Sequence, residues 1–163
     1  MADNPIKAFL NRMPYGFYAI TSCSDSDVNA MVANWITQVS FKPRRIAIGL
    51  QKSSYSHGII EDGRVFALNL FLKADKDYLM PFTKSRSKKP DKMTIAAYTA
   101  APETGCPILE GAAAYLECKV VQIIDIGGDH DVVIGEPIGA GIIKTGQVSD
   151  SLSLVYLGWS YAG

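Results

Sequence analysis

The feature that most narrows the fold of this chain is a pair of β-rich runs, residues 31–40 and 46–50, joined by a proline-containing turn at 41–45, the second run emptying into Lys52-Ser53-Ser54-Tyr55-Ser56. β-Branched and aromatic side chains on both sides of a short turn favour an antiparallel pair. A hydroxyl-rich stretch at the end of a strand then sets several donors side by side. Two kinds of recognition are therefore adjacent in the chain. Asn34, Trp35 and Thr37 offer a face to a flat polar ring, and Ser53, Ser54 and Ser56, next to Lys52, offer hydrogen bonds to an anion.

The remainder of the chain repeats the strand signal. Asn4 as a cap, Pro5 at the first helical position and apolar Ile6, Phe9 and Leu10 predict a short leading helix. Residues 15–22 read as a strand turning into 30–40 across the polar loop Ser24-Asp25-Ser26-Asp27, a simple solvated turn. Residues 56–62 suit one or two helical turns ending at Gly63, 65–71 a strand, 73–82 a helix stopping near Pro81, and 96–106 irregular chain with a helical turn. From Ala112 the pattern is β. Leu116, Cys118, Val120 and Ile124 alternate with Glu117, Lys119, Val121 and Ile123, which predicts one buried face. Ile126-Gly127-Gly128-Asp129 turns the chain into a returning strand at 132–136, where Pro137 marks a bulge, an edge or the strand's end, and short β runs follow at 142–144 and 152–157. Many strands with little amphipathic helix predict a mainly β chain, a small closed or nearly closed antiparallel barrel, as one domain over 1–163.

Charge and cysteine usage exclude several classes. With 16 basic and 16 acidic residues the formal charge is zero, and aromatic and basic residues do not interleave on any strand, so neither nucleic acid nor an anionic membrane is an expected partner. No apolar run approaches the ~20 residues that span a bilayer, and the opening Met-Ala-Asp-Asn-Pro has no basic or apolar leader, so the expectation is a cytoplasmic, unexported protein. Cys23, Cys106 and Cys118 are odd in number, widely spaced and without Cys-x-x-Cys, which argues against a disulfide framework or a zinc site. They read as small hydrophobes, Cys106 without a redox role.

Catalytic motifs are sparse. The chain has two histidines, His57 and His130, and lacks Gly-x-Ser-x-Gly, His-Glu-x-x-His and a P-loop. Gly135, Gly139 and Gly141 do not form Gly-x-Gly-x-x-Gly, so a nicotinamide would have to bind without a Rossmann unit. His130 lies in Gly-Gly-Asp-His-Asp. It is either a plain turn residue or a functional imidazole, and a metal pair with Asp129 or Asp131 lacks an evident third ligand. The segment 84–92 carries five basic residues and one acid, which suits a solvated loop or an anion site. Trp35 suits the core or a ring contact; Trp159 and Tyr161 suit a dimer interface or stacking on a bound ring.

Taken together, three blocks resemble one family. Ala33-Asn34-Trp35 with the Ser-rich segment after the next strand, Gly128-Asp129-His130 running on to Gly135-Glu136, and Leu157-Gly158-Trp159-Ser160-Tyr161 stand in the order found in the flavin reductase-like, FMN-binding split barrel proteins. The resemblance spans roughly residues 13–161. It implies a split β-barrel and a homodimer with the flavin near the subunit interface. It implies that Ala33, Asn34, Trp35, Ile36 and Thr37 hold the flavin, and that Gln51, Lys52, Ser53, Ser54 and Ser56 serve its phosphate. Pro90-Asp91-Lys92 resembles the end of a further phosphate segment, which adds Ser85, Arg86 and Lys92, although Ser87-Lys88-Lys89 replaces the usual small residues. Tyr161 joins the cofactor set, and His130 is expected to position the pyridine nucleotide or assist reduction. The activity implied is an NAD(P)H:flavin oxidoreductase with FMN as cofactor and NADH or NADPH as donor, passing electrons to a free flavin, a ferric chelate or a partner oxygenase. A flavoredoxin-type carrier reduced by a partner protein, and a split barrel that has lost flavin, are the alternatives.

Overall fold

The computed structural model of the chain describes residues 4–160. Asn4 Oδ1 accepts the Ile6 N–H at 3.0 Å and Pro5 opens helix α1 (Pro5–Leu10), as a capping residue and a first-turn proline dictate. Strands β1 (Tyr18–Cys23) and β2 (Val28–Ala33) form a hairpin. The run 31–40 is not one strand, however. It breaks at Asn34-Trp35, and β3 (Ile36–Phe41) starts afresh and pairs with β4 (Arg44–Gln51) across the proline turn.

After β4 come helix α2 (Tyr55–Gly63) and strand β5 (Val65–Leu70). The helix ends one residue later than expected. Arg64 takes the left-handed conformation (φ 58°), while Gly63 is demanded by close approach, because a Cβ there would lie 1.9 Å from the Cys23 carbonyl oxygen. The helix expected over 73–82 is broken into a 3-10 turn (Lys73–Asp75), α3 (Lys76–Leu79) and a second 3-10 turn (Met80–Thr83), since Pro81 cannot join an α ladder. Then follow α4 (Lys92–Ile95), β6 (Tyr98–Ala100), β7 (Pro107–Leu109), β8 (Ala114–Asp125) and β9 (His130–Ile142). β6 pairs with β7, where a helical turn was expected.

Seven strands make one antiparallel sheet in the order β2-β1-β5-β8-β9-β4-β3. The sheet wraps on itself. Ile20, Ala33, Ile48, Phe66, Cys118 and Val133, from six of its strands, belong to one buried cluster that a flat sheet would spread out. The two edge strands β2 and β3 are consecutive in sequence and do not pair, so the barrel is split at the Asn34-Trp35 step. A second cluster, with Phe17, Ala19, Phe71, Leu79, Phe82 and Leu152, covers the outside of β1 beneath the short helices. β1 feeds both clusters through Ala19 and Ile20, so the strand is buried on both faces from Ala19 to Ser22. Burying rings such as Phe66 and Phe71 stabilises the fold by ~2–3 kcal/mol each.

Two register shifts alter the faces of β8. They fall between Glu117 and Cys118, opposite Pro137, and between Val120 and Gln122. The bulge reading of Pro137 holds, and β9 runs through it. The expected alternation fails at two places: Glu117 is buried, its Oε2 accepting the Glu103 and Thr104 N–H groups at 2.9 and 2.7 Å, and Ile123 packs on the inner core. The expected runs 142–144 and 152–157 are not strands. Ile143 and Lys144 N–H groups both bond to the Ala113 carbonyl, and Ser151 and Ser153 make only isolated bridges while Leu152 and Leu154 enter the outer core. Among the described residues no helix is long and apolar enough to cross a membrane.

Candidate functional site

The split between β2 and β3 opens into a cleft with two chemically different ends. One is a largely apolar groove of about 640 Å³ against Asn34, Trp35, Ile36, Thr37, Gly49 and His130. The other is a polar hollow of about 540 Å³ against Gln51, Ser53, Ser54, Ser56, Arg86 and Lys92. A narrower space of about 190 Å³ shares Asn34, Trp35 and His130 with the first and Met31, Val32 and Gln51 with the second, and Trp159 closes over it. The cleft therefore suits a long ligand with a flat apolar head and a polar tail.

The polar end is built where β4 runs into α2. Ser54 caps α2, its Oγ accepting the His57 N–H at 3.3 Å, and Ser54, Tyr55 and Ser56 of this first turn line the hollow. Ser56 is fully buried and accepts Asn29 Nδ2 at 2.9 Å. Lys84, Arg86 and Lys92 line the hollow and, among the described residues, no carboxylate does, so its lining is positive and suits an anion. Lys92 is 2% exposed and donates to the Lys84 carbonyl at 3.0 Å; burial, then Arg86 and Lys89 nearby, lower its ammonium to about 8.

Arg86 holds the basic loop in place. Its Nε donates to Pro90 O at 2.9 Å, Nη1 to Val28 O at 2.9 Å, and Nη2 lies 3.4 Å from Asp27 Oδ1, while the guanidinium sits 4.8 Å from the Tyr55 ring centroid. Asp27 also accepts the Tyr55 hydroxyl and the Val28 N–H. Burial alone would raise the Asp27 carboxyl, but the Tyr55, Val28 and Arg86 donors together hold it below its usual range. The loop 24–27, expected to be a simple solvated turn, is thus the counterweight of the basic segment.

At the apolar end Trp35 and His130 face each other, ring centroids 4.8 Å apart and tilted by 58°. His130 Nδ1 lies 2.7 Å from Asp129 Oδ1, and that imidazole holds the Asp129 carboxyl below its usual range. Asn34 Nδ2 is buried and finds no acceptor among the described residues. An orphaned amide beside an apolar groove fits a ligand ring that carries its own acceptors.

Lys52 does not turn to the anion end. Its Nζ is 2.7 Å from Asp125 Oδ1 and 3.7 Å from Asp131 Oδ1, and its N–H donates to Asp129 O at 3.0 Å, so it clasps the turn that carries His130. Asp125, first of all through this ammonium and then through the Gly127 N–H, is held below its usual range, and Lys52 is raised in return. Asp131 Oδ2 lies 2.7 Å from His57 Nε2 on α2.

Of the residues expected at a flavin site, Gln51, Ser53, Ser54, Ser56, Ser85, Arg86 and Lys92 come together at the polar end, and Asn34, Trp35, Ile36, Thr37 and His130 at the apolar end, with Ala33 in the passage between. Tyr161 lies outside the described residues. Asp27, Asn29, Tyr55 and His57 carry no role in the sequence reading, and Asp131 appears there only as a candidate metal partner of His130. Their long-range side-chain partners are 27 or more positions away, and sequence spacing carries no sign of them. Among the described residues no cluster of histidine, cysteine and carboxylate groups is arranged to hold a metal ion.

Comparison with known proteins adds an independent line. A family model described as "Flavin reductase like domain" matches residues 10–162. The chain is 28% identical over 145 residues to the ferric-chelate reductase (NAD(P)H) of Archaeoglobus fulgidus, covering 88% of this chain and 84% of that protein. It is 34% identical over 146 residues to putative diflavin flavoprotein A 3 of Nostoc, covering 89% of this chain but 24% of that longer protein. Among solved structures, the NADH:FAD oxidoreductase SgcE6 of Streptomyces globisporus superposes with a TM-score of 0.73 at 28% identity, covering 83% of this chain and 79% of the other.

Proposed function

The chain belongs to the flavin reductase-like domain family, and on that premise we propose that it is an NAD(P)H-dependent flavin reductase whose cleft holds FMN as the resident cofactor. The observation that carries this reading is the two-ended cleft: a groove with the orphaned Asn34 amide at one end, and at the other a hollow with three cations, several hydroxyls and no carboxylate. Those residues fit FMN. Asn34, Trp35, Ile36 and Thr37 would take the ring edge, and Gln51, Ser53, Ser54, Ser56, Ser85, Arg86 and Lys92 the phosphate, whose charge of nearly −2 matches the cations. The chemistry that bound FMN supplies is acceptance of two electrons as hydride from a nicotinamide and their onward release.

The protein's part is placement and electrostatics. Trp35 and His130 wall the groove that would receive the nicotinamide, and Trp159 lines the passage beside them. Hydride transfer needs no protein base, so His130 acts by positioning the nucleotide. The Archaeoglobus protein bears the name ferric-chelate reductase and a monooxygenase component B from Mycobacterium thermoresistibile shares the fold at 24% identity. We accordingly assign onward transfer to a free flavin, a ferric chelate or an oxygenase partner, a cytoplasmic setting, and a homodimer.

The test is the visible spectrum of the purified full chain, before and after anaerobic addition of NADH or NADPH. A flavin spectrum that bleaches within seconds supports a reductase and names its donor. Flavin that stays oxidised with both nucleotides overturns direct reduction, and a chain that takes up no FMN overturns the cofactor.

A further inference from the structure

Away from the cleft, two of the three cysteines meet. Cys23, the last residue of β1, and Cys106, just before β7, are 83 positions apart, yet their sulfurs lie 3.6 Å from each other. We propose that Cys23 and Cys106 are a redox modification site, closing to a reversible disulfide when the protein meets a hydroperoxide.

Three features of the surroundings favour this. Both sulfurs are carried on well-supported backbone. Cys23 pairs with Val28 in the β1–β2 hairpin, and the 101–106 turn is fixed by the Gly105 N–H on Ala101 O at 2.9 Å and by Glu117, which accepts Thr104 N at 2.7 Å. Gly105 takes φ +74°, a left-handed turn that brings Cys106 round toward Cys23. The sulfurs are already near van der Waals contact at 3.6 Å, so closure to a bonded ~2.05 Å is a movement of under about 2 Å.

The two thiols also differ as a reacting pair should. Cys23 is only partly buried, so a small peroxide can reach it, and it donates to Thr104 O at 3.1 Å. Cys106 is fully buried, and that burial pushes its thiol well above the usual range, so it is spared direct reaction with peroxide and gives up its proton only as it bonds to an already oxidised Cys23 at contact distance. The Cys23 thiolate attacks one peroxide oxygen, the O–O bond breaks, and Cys23 becomes a sulfenic acid as the other oxygen leaves as hydroxide and takes up a proton to become water. The Cys106 sulfur then attacks the Cys23 sulfur, the S–O bond breaks, and the Cys106 proton leaves with the hydroxyl as a second water. The sulfurs lose two electrons and the peroxide gains two. A dithiol reverses the step.

The bond would fasten the strand end whose partner Val28 anchors Arg86. The consequence is a more firmly held loop 24–27, and with it a firmer polar end of the cleft.

The full chain loaded with FMN, reduced, desalted, exposed to equimolar hydrogen peroxide and then alkylated, is digested without reductant for mass spectrometry. The expected result is a Cys23–Cys106 cross-linked peptide pair two hydrogens lighter than the free thiols, with Cys118 alkylated only after unfolding, dithiothreitol restoring both thiols, and a higher thermal midpoint. In the Cys106→Ser variant Cys23 should instead be trapped as a sulfenic acid by dimedone. Cys23 oxidised to sulfinic acid with Cys106 still alkylatable, or a cross-link that involves Cys118 or a second chain, would overturn the proposal.

Discussion

His57 Nε2 lies 2.7 Å from Asp131 Oδ2, and this contact ties the first turn of α2 to the first residues of β9. One partner stands beside the serines of the polar end and the other directly follows His130. Both side chains are nearly buried, 13% and 9% exposed, so the pair is a structural joint between the two ends of the cleft rather than a surface ion pair.

Asp131→Asn tests that joint. The carboxylate stands between His57 and the Lys52 ammonium, and its Oδ1 accepts no hydrogen bond from the described residues, so the amide leaves two cation-capable groups facing a neutral neighbour. A loss of ~1–3 kcal/mol of stability follows from leaving partly buried polar groups unmatched, read from urea unfolding. Reduction by nicotinamide should slow a few-fold because the turn bearing His130 loosens, while FMN affinity changes by less than about twofold. An equal loss in FMN affinity would move the joint's role to the anion end.

Lys92 gives the polar end a pH dependence of defined sign. Its folded-state value of about 8 is below the ordinary 10.5, so between these limits the unfolded chain holds the proton and the folded chain does not. Stability therefore rises with pH across that window. A bound phosphate favours the ammonium, so FMN affinity should fall as pH rises above about 8, and riboflavin affinity should not. Lys92→Met should abolish the pH trend, weaken FMN by roughly 10-fold or more, and leave the fold at least as stable, since an incompletely paired buried charge is replaced by an apolar chain of similar length. Fluorescence titration with both flavins across pH 7–10 checks the first two, and urea unfolding of the variant without flavin checks the third.

Ser53 and Ser54 are neighbours with separable jobs. Ser54 caps α2 and Ser53 does not, so Ser54→Ala should cost ~1 kcal/mol of stability and Ser53→Ala close to none. Each should weaken FMN by ~1 kcal/mol through loss of a donor to a charged acceptor. A thermal shift without FMN, paired with a titration, separates the two effects. If Ser53→Ala leaves FMN affinity unchanged, its hydroxyl faces away from the phosphate.

Contiguity decided how much of this was legible in the sequence. Ser53, Ser54 and Ser56 are local, following a strand where Ser54 caps the next helix, so their meeting at one polar hollow is readable from the sequence. Ala33 to Thr37 line the cleft even though the run 31–40 is not one strand, because the break at Asn34-Trp35 leaves the same residues on it. Lys52 was misdirected because a lysine next to serines has the chemistry of a phosphate ligand, and only the fold shows that Asp125, 73 positions away, is its partner. Glu117 was read as a solvent-facing residue because alternation assumes an unbroken register, and two shifts in the β8–β9 ladder lie beyond what a period of two can encode. His57 and Asp131 needed the same long-range information.

His130 is the residue on which the reductase reading turns most directly. Asp129 Oδ1 occupies its Nδ1 side at 2.7 Å, which orients the ring against Trp35 and leaves Nε2 as the ring atom for a nucleotide. His130→Ala should keep FMN affinity within about twofold, because the polar-end residues are untouched. It should slow reduction by NADH or NADPH by about 10- to 100-fold, equivalent to ~1.4–2.7 kcal/mol of lost transition-state positioning. His130→Gln retains a polar group of similar reach without the ring, so it should recover part of the rate if hydrogen bonding is the contribution and none if the ring face against Trp35 is. Anaerobic stopped-flow traces at saturating nucleotide, compared with traces at low nucleotide, divide the loss between turnover and binding. A histidine that positions the nicotinamide should raise the half-saturating concentration as well as lower the limiting rate, and reduction identical to the parent in both variants would leave His130 as a packing partner of Trp35 alone.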